Sequence, residues 1–195
     1  MNNEITTVVI VDDEPIVRMD LKEMLESKGY SVVAEARDGF DAIAECKKHN
    51  PEIVFMDIKM PMMDGLSAAR VIHEEGLAQT IIVLTAYSGK EYVDNAVESG
   101  VSGYLVKPIS ENLLVPTIEL AVSRSREIKS LKKELEKVSQ RLDSRIILDQ
   151  AKGWLMQSQN LSESEAYGVI RKISQDKNIS MRQVAEYILY SKNKV

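Results

Sequence analysis

The 195-residue sequence holds one cysteine, Cys46, and two histidines, His49 and His73. A lone cysteine excludes an intrachain disulfide, and no cysteine cluster exists to bind zinc. Cys46 reads as a small buried helix residue, and neither histidine is given a role. No apolar run approaches the roughly 20 residues that span a bilayer, and Met1-Asn2-Asn3-Glu4 lacks the basic start of a secretory signal. The expectation is a cytoplasmic protein without a membrane partner.

What is present is an ordinary globular composition, 44% hydrophobic and 28% charged, long enough for one large domain or two small ones. The net charge of −5 hides a division. Residues 1–121 carry 10 Lys and Arg against 21 Asp and Glu, whereas residues 122–195 carry 15 against 9, so an acidic part precedes a basic one. Such asymmetry points the basic part toward a polyanion, although a basic helix face can also be merely solvated.

The first part alternates. Apolar runs at Thr7–Val11, Val32–Ala34, Ile53–Met56, Ile81–Leu84 and Gly103–Val106 read as strands. Between them lie helices, from Pro15 behind the acid Glu14, from Asp38 to His49, from Asp64-Gly65 through Ile72, and from Lys90 to Ser99. Strand and helix in alternation with short links predict an α/β domain with a five-stranded parallel sheet, and right-handed crossovers put helices on both faces. Strands covered on both faces need no polar alternation.

In such a sheet the binding crevice lies at the carboxyl ends of the strands. Those ends carry Asp12-Asp13, Asp57, Thr85-Ala86 and Lys107-Pro108. Clustered carboxylates repel unless a cation sits among them, and oxygen-only ligands suit Mg²⁺. A hydroxyl and an ammonium opposite complete a site for a phosphoryl group, whose phosphorus a carboxylate can attack. Taken singly, Thr85 could be a plain strand residue and Lys107 a solvated charge; the agreement of four strand ends carries the reading.

Val-Asp12-Asp13-Glu, Met-Asp57-Ile-Lys-Met-Pro61-Met-Met-Asp64-Gly65, Leu-Thr85-Ala86 and Tyr104-Leu-Val-Lys107-Pro108 together resemble the receiver domain of two-component response regulators, over about residues 4–123. The resemblance implies a flavodoxin-like fold with Asp57 as phosphoacceptor. It also implies Mg²⁺ held by Asp12, Asp13, Asp57 and the Lys59 backbone carbonyl, and a sensor histidine kinase as partner. It further implies that Lys107 pairs with the phosphoryl group, that Thr85 is the switch hydroxyl and Tyr104 the switch aromatic, and that the Lys107-Pro108 peptide is cis. Phosphorylation adds about −1.5 to −2 charges at one point. The expected switch is that Thr85 and Lys107 can be drawn toward it, vacating space that Tyr104 can fill.

Beyond Ser110, read as a cap, a helix begins that either waits until Pro116 or is kinked there. Ile128, Leu131, Leu135, Val138 and Leu142 then recur at alternating steps of three and four, a heptad seam that ends at Arg145. It predicts a dimeric coiled coil, against the alternative of one amphipathic helix lying on its own domain. Three short helices follow. The first carries Ile146, Ile147, Ala151, Leu155 and Met156, and capping boxes at Ser162–Glu165 and Ser180–Gln183 open the other two.

Asp149-Gln-Ala151-Lys152-Gly153-Trp154-Leu155-Met156, Leu161-Ser-Glu-Ser-Glu-Ala166-Tyr167, Ile170-Arg171 and Val184-Ala185 resemble the ANTAR domain of transcription antiterminators, over about residues 142–192. Trp154 stands where a smaller aliphatic residue is common. The whole arrangement is similar to the ethanolamine-utilisation antiterminator regulators of Gram-positive bacteria. The resemblance implies binding of stem-loop RNA in nascent transcripts. RNA loops are held by stacking and by basic contacts to phosphate, which makes Lys152, Arg171, Lys172 and Arg182 candidates, with Trp154, Tyr167, Tyr187 or Tyr190 as platforms. For each aromatic, core packing is the competing reading.

The expected organisation is a receiver at 1–123, a coiled-coil linker at 124–145 and an ANTAR-like three-helix all-α domain at 146–195. The expected function is phosphorylation-controlled antitermination by a homodimer that forms on phosphorylation, with no enzymatic residues in the tail. The alternatives are a DNA-binding response regulator and a protein-binding phospho-adaptor; the tail lacks a clear helix-turn-helix pattern.

Overall fold

A computed structural model describes residues 5–86 and 100–192. The helix expected over Lys90–Ser99 lies outside the described residues. The chain divides into two compact units, 1–129 and 130–195.

In the first unit β1 (Thr7–Val11), β2 (Ser31–Ala36), β3 (Ile53–Asp57), β4 (Thr80–Thr85) and β5 (Gly103–Val106) form one parallel sheet in the order β2-β1-β3-β4-β5. The order reverses at β1, so the crevice opens beyond the ends of β1 and β3. Alternate strand residues feed two cores. Val8, Ile10, Phe55, Ile82 and Leu84 face α1 (Pro15–Ser27) and the start of α4 (Glu111–Gln159) through Leu21, Leu25, Leu114 and Ile118. Val9, Val11, Val54, Met56 and Ile81 face α2 (Gly39–His49) and α3 (Gly65–Glu74) through Ala42, Cys46, Ala69 and Ile72. The period of two survives in the packing although it is invisible in the apolar strand sequences, because both faces are covered.

Local chemistry sets the helix ends. Asp38 accepts from the Phe40 and Asp41 amides and Asp64 from the Ser67 amide, as N-caps do. Glu14, expected to cap α1, makes no side-chain cap bond. Its own amide donates to Asp12 Oδ1 at 3.0 Å, so the acid at the end of β1 organises the turn.

The helix after β5 does not wait for Pro116. It starts at Glu111 and runs to Gln159 with Pro116 inside it, merging what the sequence suggested as a receiver helix, a linker and a first tail helix. Neither glycine nor proline occurs between Pro116 and Gly153 to interrupt it. In the second unit its end packs with α5 (Glu163–Lys177) and α6 (Met181–Lys192) around Ala151, Leu155, Ala166, Ile170, Val184, Ala185 and Ile188. Both expected capping boxes form, Ser162 with Glu165 and Ser180 with Gln183.

Candidate functional site

Three strand ends deliver the acidic site. β1 ends at Val11 and places Asp12 fully buried beyond it; β3 carries Asp57, also buried; Lys107 follows β5. The Lys107 ammonium lies 2.6 Å from Asp12 Oδ2 and 2.6 Å from Asp57 Oδ1, with Glu14 Oε1 farther off at 4.0 Å. The Lys107 amide donates to the Thr85 carbonyl at 2.8 Å, tying the lysine to the end of β4. Asp57 Oδ2 accepts from the Lys59 amide at 2.8 Å.

Burial pushes the Asp57 carboxyl above the ordinary carboxylate range, and the Asp12 charge adds to this; Lys107 and the Lys59 amide oppose the rise without cancelling it. Burial works to lower the Lys107 pKa, but Asp12 and Asp57 outweigh it and hold the ammonium above its usual range. A carboxylate whose charge is poorly solvated beside a firmly protonated lysine is suited to giving an electron pair to an electrophile.

Asp13 is exposed at the mouth of the crevice and Lys59 is exposed in the loop after β3. Thr85 is buried at the end of β4, one residue beyond the register partner of Asp57, and Ala86 beside it is exposed. Tyr104 lies on the edge strand opposite Val83 with half its surface in solvent. The Lys107-Pro108 peptide is cis, as the receiver resemblance implied.

The donor set fits a hard divalent cation. Asp12 and Asp57 together outweigh the single charge of Lys107, so an incoming phosphoryl anion meets net negative charge unless a cation is added. Asp12 Oδ2 is buried, and the Lys107 ammonium at 2.6 Å is its partner among the described residues, so the oxygen keeps lone-pair capacity for a cation. Among the described residues no three acidic, histidine or cysteine side chains converge as a metal cluster. Mg²⁺ needs no such cage: it takes one or two carboxylates and keeps several waters.

Sequence reasoning missed residues that shape this site. Arg18 donates to the Asp12 main-chain carbonyl at 2.7 Å and pairs with Glu35 at 3.3 Å, fixing the corner after β1. Its signal was helical spacing, four residues after Glu14. In the loop after β3, Met62 is exposed and adopts φ +67°, a conformation that costs about 1 kcal/mol or more for a non-glycine residue.

In the second unit the RNA candidates separate. Lys152 is mostly covered and bound to Asp149 at 2.8 Å and Glu163 at 2.7 Å, joining the end of α4 to α5. Arg182 pairs with Glu186 at 2.8 Å and reaches Ser144 Oγ at 3.5 Å. Trp154 packs against the core, so the competing structural reading is the one met. Arg171 and Lys172 are exposed, without an ion-pair partner among the described residues. Tyr167, Tyr187 and Tyr190 are also exposed. The seam residues Ile128, Leu131, Leu135, Val138 and Leu142 are all exposed along α4.

Comparison with known proteins gives two family matches, a response regulator receiver domain over residues 8–119 and an ANTAR domain over residues 136–189. The transcriptional regulatory protein PdtaR of Mycobacterium tuberculosis is 43% identical over 182 residues, covering 93% of this chain and 88% of the relative. A LuxR-family two-component response regulator from Aurantimonas sp. SI85-9A1 is 34% identical, with a TM-score of 0.57, covering 62% of this chain and 86% of that one. CheY in the CheX-CheY-BeF3-Mg²⁺ complex of Borrelia burgdorferi is 28% identical, with a TM-score of 0.55, covering 58% of this chain and 86% of that one. Among the described residues no helix is long and apolar enough to cross a membrane.

Proposed function

The chain belongs to the response regulators that carry a receiver and an ANTAR domain, and on that premise we propose that it is a phosphorylation-controlled, RNA-binding transcription antiterminator. The observation that carries the proposal is the shared ammonium, Lys107 held at 2.6 Å from both Asp12 and Asp57. Asp57 is the phosphoacceptor. Its carboxylate oxygen forms the new P–O bond as the bond from phosphorus to a histidine of the cognate sensor kinase breaks.

Asp12, Asp13, Asp57 and the Lys59 carbonyl would hold Mg²⁺, which neutralises charge on the phosphoryl oxygens. Once Asp57 carries a phosphoryl group, Lys107 exchanges a carboxylate partner for a phosphoryl oxygen. Thr85 supplies a hydroxyl from β4, and Tyr104 leaves its exposed position on β5. Binding RNA and turning over no substrate, the protein works as a switch: a receiver at 1–123, a linker at 124–145 that dimerises through Ile128, Leu131, Leu135, Val138 and Leu142, and a tail at 146–195. The tail takes stem-loop RNA in nascent transcripts, with Arg171, Lys172 and Tyr167 the candidates least engaged elsewhere. The name of the mycobacterial relative, a transcriptional regulatory protein, supports this output.

The test is Asp57→Asn. Phosphodonor-stimulated binding of a hairpin RNA should be lost in the variant, while unstimulated binding persists. Stimulation that survives the substitution sinks the control mechanism. Equal affinity for duplex DNA and hairpin RNA at matched salt would favour a DNA-binding regulator, and a tail that binds no nucleic acid at low salt would favour a protein-binding adaptor.

A further inference from the structure

We infer that Gly168, on the outer face of α5, marks where the phosphodiester backbone of the RNA lies against the helix. The inference rests on the RNA-binding reading above and adds the place and the closeness of the contact. Gly168 stands two residues from both Ala166 and Ile170, the α5 residues fully buried in the core of the second unit. At about 3.6 residues per turn that puts it on the opposite side of the helix, in solvent.

A glycine inside a helix is destabilising relative to alanine, so its presence calls for a reason. Elsewhere the reasons are local: Gly39, Gly65 and Gly100 stand so close to neighbouring atoms that a Cβ would clash, and Gly29 and Gly76 adopt positive φ. Gly168 has neither reason. It lies within regular helix, and a Cβ there would meet nothing within 4 Å. Gly153 on α4 is equally uncrowded, but the cation beside it, Lys152, is already paired with Asp149 and Glu163.

The neighbours of Gly168 supply the ligand chemistry. Arg171 and Lys172 follow it by three and four residues, one turn along the same side, and both are exposed without an ion-pair partner among the described residues. Glu163 is held by Lys152, Glu165 by the Ser162 cap, and Asp176 makes no ion pair among the described residues, so no acid of α5 neutralises either cation at contact distance. Tyr167 adjoins the glycine and is exposed. Without a Cβ the helix surface is lowest at Gly168. A polyanionic strand crossing there comes into van der Waals contact with main chain while the guanidinium and the ammonium reach its phosphates and the phenol ring offers a stacking face.

The probe is a hairpin RNA enriched, from a library with a randomised loop, on the full-length chain treated with beryllofluoride and Mg²⁺. Gly168→Ala should raise the melting temperature, because alanine is the better helix former. It should nevertheless weaken binding of that hairpin by about tenfold, the size of one lost nucleic-acid contact. Gly168→Gln adds bulk without charge, also favours the helix over glycine, and should weaken binding further. Stability and affinity that move in opposite directions are not what a merely structural glycine gives. Unchanged affinity in Gly168→Gln would overturn the contact at Gly168 and leave RNA binding standing. Affinity and melting temperature that fall together would assign Gly168 to the fold and overturn the contact likewise. A library that enriches no hairpin on the parent chain would overturn the RNA-binding reading, and the contact with it.

Discussion

Gly65 lies against the main-chain carbonyl of Asp57 so closely that the oxygen occupies the space where a Cβ would be. The Gly65 amide also donates to the Ile58 carbonyl at 2.9 Å, which fastens the start of α3 onto the loop that leaves Asp57. Alanine in a helix is ordinarily better than glycine by about 1 kcal/mol. Here the obstacle is backbone, which cannot swing aside as a side chain could. Gly65→Ala should therefore lower the stability of the first unit by about 3 kcal/mol, measured by urea unfolding. It should also slow phosphorylation of Asp57 by a small-molecule phosphodonor. A variant as stable as the parent would show that the loop yields freely.

Lys107→Met removes the one cation that, among the described residues, pairs with both Asp12 and Asp57. Stranding a buried charge costs about 3–5 kcal/mol. Without the ammonium, the Asp57 carboxyl, already raised by burial, rises further. A raised folded-state pKa contributes stability that is present at low pH and lost as pH climbs through it. The deficit relative to the parent should thus be larger at about pH 7 than at about pH 5, and millimolar Mg²⁺ should recover part of it by replacing the missing positive charge. Denaturant midpoints at both pH values, with and without Mg²⁺, read this out, and a deficit independent of pH would count against carboxylate repulsion as its cause.

Cys46 offers a probe of the second core. Burial, assisted by the neighbouring Glu45 charge, pushes its thiol up to about 12. The native protein should resist a thiol reagent near pH 8, whereas the denatured chain should react completely, because the thiolate is the nucleophile. With the folded pKa raised, stability should fall as pH climbs above the ordinary thiol value of about 8.5, by at most about 1.4 kcal/mol per unit. Cys46→Ala should flatten that limb of the pH profile.

The sheet was legible in the sequence because its strands are short apolar runs that end in chemistry. Val11 before Asp12, Met56 before Asp57 and Val106 before Lys107 announce the crevice before any fold is seen. The bridging of Asp12 and Asp57 by one lysine was foreseeable as a cluster but not as a geometry, since three separate strands supply it. The tail was less legible. Lys152 and Arg171 are both basic residues on helices, and only the packing of α4 on α5 shows that Lys152 faces Glu163 across the loop while Arg171 faces solvent. Trp154 likewise reads as a stacking platform or a core residue until Leu155 and Ile170 are seen beside it in one cluster. The merging of the linker into α4 followed from the lack of any breaker, a signal that is weak because it is an absence.

That separation gives a test of the tail. A basic side chain that contacts phosphate releases counterions on binding, so removing it lowers the salt dependence of the affinity as well as the affinity itself. Arg171→Ala and Lys172→Ala should each weaken binding of a hairpin RNA and reduce the slope of log K against log salt by about one unit. Lys152→Ala should instead lower the melting temperature, because it removes the ammonium that Asp149 and Glu163 share, and should leave the slope unchanged. Glu163→Gln provides the control: if Lys152 acts through its ion pairs, this substitution reproduces part of the melting shift without touching a cation. A slope altered by Lys152→Ala and not by Arg171→Ala would place the RNA on the opposite side of α5.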